Sequence, residues 1–289
     1  MRSFNYESMG THWEVTIWDD LSSDRFASIQ EEIIRRSQEF DHTYSRFIKT
    51  SFVWQLAEKT GVVEVPADFM EMLGWYKRLY AISGKTLNPL IGFTISDLGY
   101  DADYSLKAKD VIRQTPDLDE TVQMLDDKHI VIAQPVLFDF GALGKGYFVD
   151  KVAAFLREQG IQRFLVNGSG DIYYEGKGQP IRVGLEDPRD PSKVIGVVEM
   201  FQGSMCASAS NRRAWGSHHH TINPLTSSSP SEVIATWVLA PKAVLADAAA
   251  TCGFLTDLDA IKNAHSFEYA LLNQEFRMKR SPGFIAEIL

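Results

Sequence analysis

At 289 residues, with 45% hydrophobic and 23% charged positions, the chain has ample material for a buried core and the balance of an ordinary globular protein. Its formal net charge of -9 argues against a nucleic-acid partner, because phosphate backbones reward clustered Lys and Arg. Two cysteines, Cys206 and Cys252, are too few for a disulfide framework.

The N-terminal segment Met1-Arg2-Ser3-Phe4-Asn5-Tyr6 lacks the apolar core of a signal peptide. The expected location is therefore cytoplasmic, or exported if a leader has been removed. Trp13, Val15 and Ile17 alternate with polar residues, the period of a half-buried strand. After Asp24, Phe26, Ile29, Ile33 and Phe40 share one helical face, and a second helix runs from about Asp68 to near Gly84. Residues 101–127 are polar and irregular and read as loop with short helical turns.

The second half is better patterned. His129–Ala133 and Val136–Phe140 read as strands, followed by a helix carrying Phe148, Val152, Phe155 and Leu156 and ending at Gly160. Short strands are expected at Phe164–Val166, Ile172–Tyr174, Ile181–Leu185 and Val194–Met200. A polar loop follows from Ser208 to Ser231, then strand Val233–Ala240, helix Ala243–Phe254 and a last strand near Tyr269–Leu272. The apolar stretch 233–255 is broken by Pro241, Lys242 and Asp247, so it reads as strand, turn and helix and not as a transmembrane segment. Strands outnumber helices and often follow one another directly. That favours an α+β fold over a doubly wound sheet, in a single domain over residues 1–289.

Four segments carry candidate chemistry. Asp139-Phe140-Gly141-Ala142-Leu143-Gly144-Lys145-Gly146-Tyr147 joins a strand to a helix; its glycines allow close backbone approach, and helix N-terminal amides favour anions. It is neither a kinase triplet, since no His-Arg-Asp loop precedes it, nor a P-loop, since the spacing is too short. A tight turn with a solvated Lys explains it equally well. Asp247 and Thr251 lie four apart on an alanine-rich helix, so a carboxylate and a hydroxyl emerge side by side as hard ligands for Mg²⁺. By spacing alone, an exposed Asp and a Thr bonded to its own helix is the commoner outcome. Val166–Ile172 reads as a glycine-rich hairpin turn. The loop carrying Arg212, Arg213, His218, His219 and His220 offers groups for phosphate binding or proton transfer, but three consecutive His in a loop rarely converge on one metal.

The order of these segments, with Met9-Gly10-Thr11, Tyr44-Ser45-Arg46-Phe47, Leu87-Asn88-Pro89, Gly184-Leu185-Glu186-Asp187-Pro188 and His220-Thr221-Ile222-Asn223-Pro224, resembles the ApbE family of FAD:protein FMN transferases. The resemblance spans Met9 to at least Thr251. It implies a T-fold-like α+β architecture, with Mg²⁺ held by Asp247, Thr251 and the carbonyl of Gly144. It places Met9, Tyr44, Asn88, Lys145, Glu186 and His220 where the family contacts FAD, and His220 and Asp247 in catalytic roles. The implied reaction moves FMN from FAD to a Thr or Ser of a partner flavoprotein and releases AMP. The alternatives are an FAD pyrophosphatase yielding FMN and AMP, or a flavin-binding protein that has lost its chemistry. The family pattern is broken at Asn88 and Asn223, where Asp is usual, at Cys206-Ala207-Ser208-Ala209 and at Ser227.

Overall fold

A computed structural model describes residues 1–289. The chain opens with strands β1 (Arg2–Ser8) and β2 (Thr11–Ile17), helices α1 (Ser23–Tyr44) and α2 (Phe52–Leu56), strand β3 (Gly61–Glu64) and helix α3 (Ala67–Ile82). A 3-10 turn (Pro89–Ile91) runs into α4 (Gly92–Asp97), followed by α5 (Leu118–Thr121), β4 (Val122–Met124), β5 (His129–Ile132) and α6 (Gly144–Glu158). Next come β6 (Phe164–Asn167), β7 (Ile172–Glu175), β8 (Ile181–Asp187), β9 (Asp190–Met200), β10 (Gln202–Ala209) and a small hairpin, β11 (Ala214–Trp215) with β12 (His218–His219). The chain ends with β13 (Val233–Ala240), α7 (Ala243–Leu255), α8 (Leu258–Lys262), β14 (Glu268–Asn273), β15 (Met278–Arg280) and β16 (Glu287–Ile288).

Eight strands form one antiparallel sheet in the order β1-β2-β6-β7-β10-β13-β14-β15. Period-two alternation sends the side chains of each strand to opposite faces. Cys206, Val238 and Tyr269 join the core beneath the helices, whereas their neighbours Met205, Trp237 and Ala270 join a second core on the other face. That second core is covered by a small sheet of order β16-β9-β8, which contributes Leu185, Val198 and Met200. The result is three layers, helices on a large sheet on a small sheet, so both faces of the central strands are apolar. The α+β expectation holds.

Helix α7 is buried almost all round, which its composition explains. Alanines 246, 248, 249 and 250 are all buried and let it lie closely on β10, β13 and α6. The tightest approach is at Gly146 in the first turn of α6, where an added Cβ would lie 2.3 Å from the Ala243 carbonyl oxygen and 2.7 Å from the Asp247 Cβ.

The strand expected at Val136–Phe140 does not form. The run is apolar because it is buried, yet it has no partner strand: the Leu137 carbonyl accepts from the Gly92 amide, and the Asp139 amide donates to the Pro89 carbonyl. The polar stretch expected as loop from Ser208 to Ser231 begins inside β10 and contains the β11–β12 hairpin. Strand β1 was not expected, although Phe4 and Ser8 turn inward at strand spacing.

Gly146→Ala forces two helices apart through backbone contacts that cannot yield. It should lower stability by about 1–3 kcal/mol, the usual cost of overpacking, and reduce the melting temperature measured by calorimetry. An unchanged melting temperature would contradict the packing described here.

Candidate active site

A cavity of about 730 Å³ opens between the start of α6, the face of α7 that carries Asp247, Thr251 and Leu255, and strands β10 and β13. Its floor is polar. Asp247, 3% exposed, turns its carboxylate toward α6 and accepts the Gly146 amide at 2.9 Å through Oδ2. Burial pushes its pKa above the ordinary value, against the pull of the nearby Lys145 charge and the Gly146 amide. One turn along, the Thr251 hydroxyl faces the Ala142 carbonyl at 3.5 Å. The exposed Asp that spacing alone favours is thus replaced by a buried one.

Lys145 lines the cavity and forms an ion pair with Asp171, which is 1% exposed at the end of the β6–β7 turn. The hairpin expected at Val166–Ile172 therefore also anchors a lining cation. Asp139 accepts the Gly141 amide at 2.6 Å, shaping the glycine turn, and pairs through its other oxygen with Arg46. Arg46 is 4% exposed, donates to the Tyr100 carbonyl at 2.6 Å and lies over the rings of Phe47 and Tyr100. Arg46 and Asp139 were not singled out in the sequence, although both stand inside motifs quoted there.

The opposite wall is formed by residues flanking the β11–β12 hairpin, which is held down by Trp215, stacked on Tyr100 and donating to the Leu98 carbonyl at 2.9 Å. Glu186 lines this side, both of its oxygens accepting from one Arg212 Nη2, at 2.6 and 2.8 Å. Arg213 also lines the cavity and is the only lining cation with no carboxylate partner; Arg46, Lys145 and Arg212 each have one. His220 faces the cavity with Nδ1 3.1 Å from the Arg212 carbonyl. A carbonyl only accepts, so Nδ1 carries the hydrogen and Nε2 is left with its lone pair. Burial pushes the ring's pKa down to about 4, so it is neutral at physiological pH. His219 instead points to the Pro230 carbonyl, and the three histidines do not converge.

Several expected site residues do not line the cavity. Tyr44 is in the core, with its ring against Phe40 and Phe140, and does not line the cavity. Met9 packs on the same core at positive φ with its amide on Asp41, while its neighbours Gly10 and Thr11 reach the cavity. Gly144 is buried in the first turn of α6 away from the lining, and Ala142 supplies the carbonyl opposite Thr251. Asn88 does line the cavity, and it uses both ends of its amide: Oδ1 caps the Leu90 amide and Nδ2 donates to the Pro116 carbonyl, each at 2.9 Å. A carboxylate could not make the second bond. Asn223 similarly caps Leu225 in its turn and does not line the cavity.

A carboxylate and a hydroxyl four residues apart on an alanine-rich helix thus face a glycine turn and a large cavity on this three-layer fold. The sequence pattern of the ApbE family matches residues 9–270, and the chain belongs to that family. It is 23% identical over 267 residues to the FAD:protein FMN transferase of Escherichia coli strain K12, covering 84% of this chain and 74% of that one. It is 24% identical over 284 residues to the protein of the same name from Haemophilus influenzae, covering 89% and 81%. Among solved structures, an ApbE protein of Thermotoga maritima superposes with a TM-score of 0.82 at 18% identity, over 98% of this chain and 97% of that one. The flavin transferase ApbE of Vibrio cholerae gives 0.79 at 20% identity, over 98% of each. These structural likenesses establish the fold.

The depressed pKa of His220 has a defined consequence. Below the ordinary 6.5 the unfolded chain takes up a proton that the native ring refuses until about pH 4. Stability should therefore fall as pH drops through that window. An NMR titration of the ring should give a midpoint near 4, and His220→Gln should flatten the loss of melting temperature between pH 6.5 and 4. A midpoint near 6.5 would refute the burial argument.

Proposed function

We propose that this chain transfers FMN from FAD to a Thr or Ser hydroxyl of a partner flavoprotein, releasing AMP with the help of Mg²⁺. The observation that carries this reading is the pairing of Asp247 and Thr251 on one face of α7, opposite the Ala142 carbonyl, in a cavity of dinucleotide size. The names of the Escherichia coli and Haemophilus influenzae relatives supply the substrate and the acceptor class.

The donor set fits the ion. One carboxylate, one hydroxyl and one carbonyl are hard oxygen ligands, and no cluster of three or more His, Cys, Asp or Glu exists to cage a metal. Mg²⁺ favours such a sparse set, because it keeps several positions for water and substrate phosphate. Asp247 Oδ2 is taken by the Gly146 amide, whereas Oδ1 has no hydrogen-bond donor and is free to serve as a ligand. When bound there, Mg²⁺ would neutralise the pyrophosphate and polarise the phosphorus on the FMN side.

The chain's own residues do the rest. The Asp139–Arg46 pair fixes the glycine turn, and the Asp171–Lys145 pair fixes a cation at its edge. Arg213, having no carboxylate of its own, meets an anionic group of the ligand or the acceptor. His220 Nε2 takes the proton of the incoming hydroxyl. The hydroxyl oxygen bonds to the FMN-side phosphorus while that atom's bond to the bridging oxygen breaks, and the electron pair leaves on AMP. Asn88, where Asp is usual in the family, makes through Nδ2 a bond to the Pro116 carbonyl that a carboxylate could not make.

Incubation with FAD, Mg²⁺ and a Thr-bearing flavoprotein peptide should give an FMN adduct by mass spectrometry, with stoichiometric AMP. Asp247→Ala should lose most of this activity while remaining folded, and Thr251→Val should lose less. AMP with free FMN and no adduct, across several acceptors, would make the protein an FAD hydrolase. No AMP at all would make it a flavin-binding protein.

A further inference from the structure

Helices α6 and α7 each begin without a side-chain cap of their own: neither Leu143 nor Lys242, which occupy the N-cap positions, makes a capping bond. A helix start leaves several amides without partners and carries the positive end of the macrodipole. Here two such starts lie against each other, since Gly146 and Ala243 touch at the crossing. Each is satisfied by the other helix. Asp247 of α7 accepts the Gly146 amide of α6 at 2.9 Å, and Asp150 of α6 accepts the Ala243 and Val244 amides of α7 at 2.8 and 2.9 Å. On both helices the carboxylate stands four residues beyond a capped amide, Gly146 and Asp150 on one, Ala243 and Asp247 on the other. The arrangement is reciprocal.

We propose that Asp150 is a positioning residue for the Asp247–Thr251 ligand pair. It does not line the cavity and has no contact with the ligand site. Through its two oxygens it fixes the first turn of α7, and with it the depth at which Asp247 and Thr251 meet Ala142. The carboxylate also offsets the positive start of α7, a charge that would otherwise stand close to the cation bound one turn further on. The inference rests on the metal reading above. Residues that orient metal ligands from outside the site typically change metal affinity about 10- to 100-fold when lost.

The test is direct Mn²⁺ binding to the whole protein, followed by electron paramagnetic resonance or calorimetry, with Mg²⁺ titration of turnover beside it. Asp150→Ala should weaken Mn²⁺ binding at least about tenfold. It should raise the Mg²⁺ concentration for half-maximal turnover while leaving the rate at saturating Mg²⁺ within about twofold. Asp150→Asn, which keeps the volume and one acceptor oxygen, should fall between Asp150→Ala and the wild type, and it carries the test if the alanine variant does not fold. Val152→Ala, a core truncation on the same helix, should lower the melting temperature and leave Mn²⁺ affinity unchanged. Wild-type Mn²⁺ affinity in the folded Asp150 variants, or an equal loss in Val152→Ala, overturns the positioning role alone. A wild-type protein that binds neither ion overturns the metal reading and this inference together.

Discussion

The close crossing of α6 and α7 is the constraint on which the rest of the site depends. Two helix starts can approach this closely only because Gly146 has no side chain and because alanines line α7. The contact places the glycine turn that precedes α6 beside the carboxylate and hydroxyl of α7. A wider crossing would keep the fold and separate Ala142 from Thr251. The central sheet supports the arrangement from below, since β10 and β13 run under α7 and their inward residues Cys206 and Val238 fill the space between.

Charge inside the cavity follows a simple rule. Most lining cations are neutralised by a carboxylate built into the same wall: Arg46 by Asp139, Lys145 by Asp171, Arg212 by Glu186. Such pairs give shape more than attraction, because the charges cancel before any ligand arrives. The exceptions stand out for that reason. Arg213 has no anion, and Asp247 has a carboxylate oxygen with no donor. One free positive and one free negative position are what a cation and a phosphate ligand would complete together.

Much of this was legible in the sequence, for identifiable reasons. Alternation at Trp13, Val15 and Ile17 and the helical spacing of Ile29, Ile33 and Phe40 report burial on one face, and the structure buries those residues. Asp247 and Thr251 were readable because helix geometry fixes the relation of residues four apart. Tyr44 and Met9 do not line the cavity for the converse reason: a motif marks a stretch of chain, and which of its residues turns toward the cavity is decided by tertiary packing. Arg46, Gly10 and Thr11, in the same stretches, are the ones that reach the cavity. Val136–Phe140 failed as a strand because a buried apolar run looks the same whether or not a partner edge is available. Asp150 had no signal at all, since its partners are two amides 93 and 94 residues away.

The order of synthesis gives the same topology a temporal meaning. Gly146 and Asp247 are 101 residues apart, and the sheet beneath them is completed only when β13, β14 and β15 add in turn beyond β10. A chain emerging from the ribosome carries α6 and β10 before β13 and α7, which pack on them, exist. Its glycine turn is made early and its carboxylate late. The nascent protein therefore passes through an interval in which β10 lacks its later partners, a condition in which chaperones are recruited.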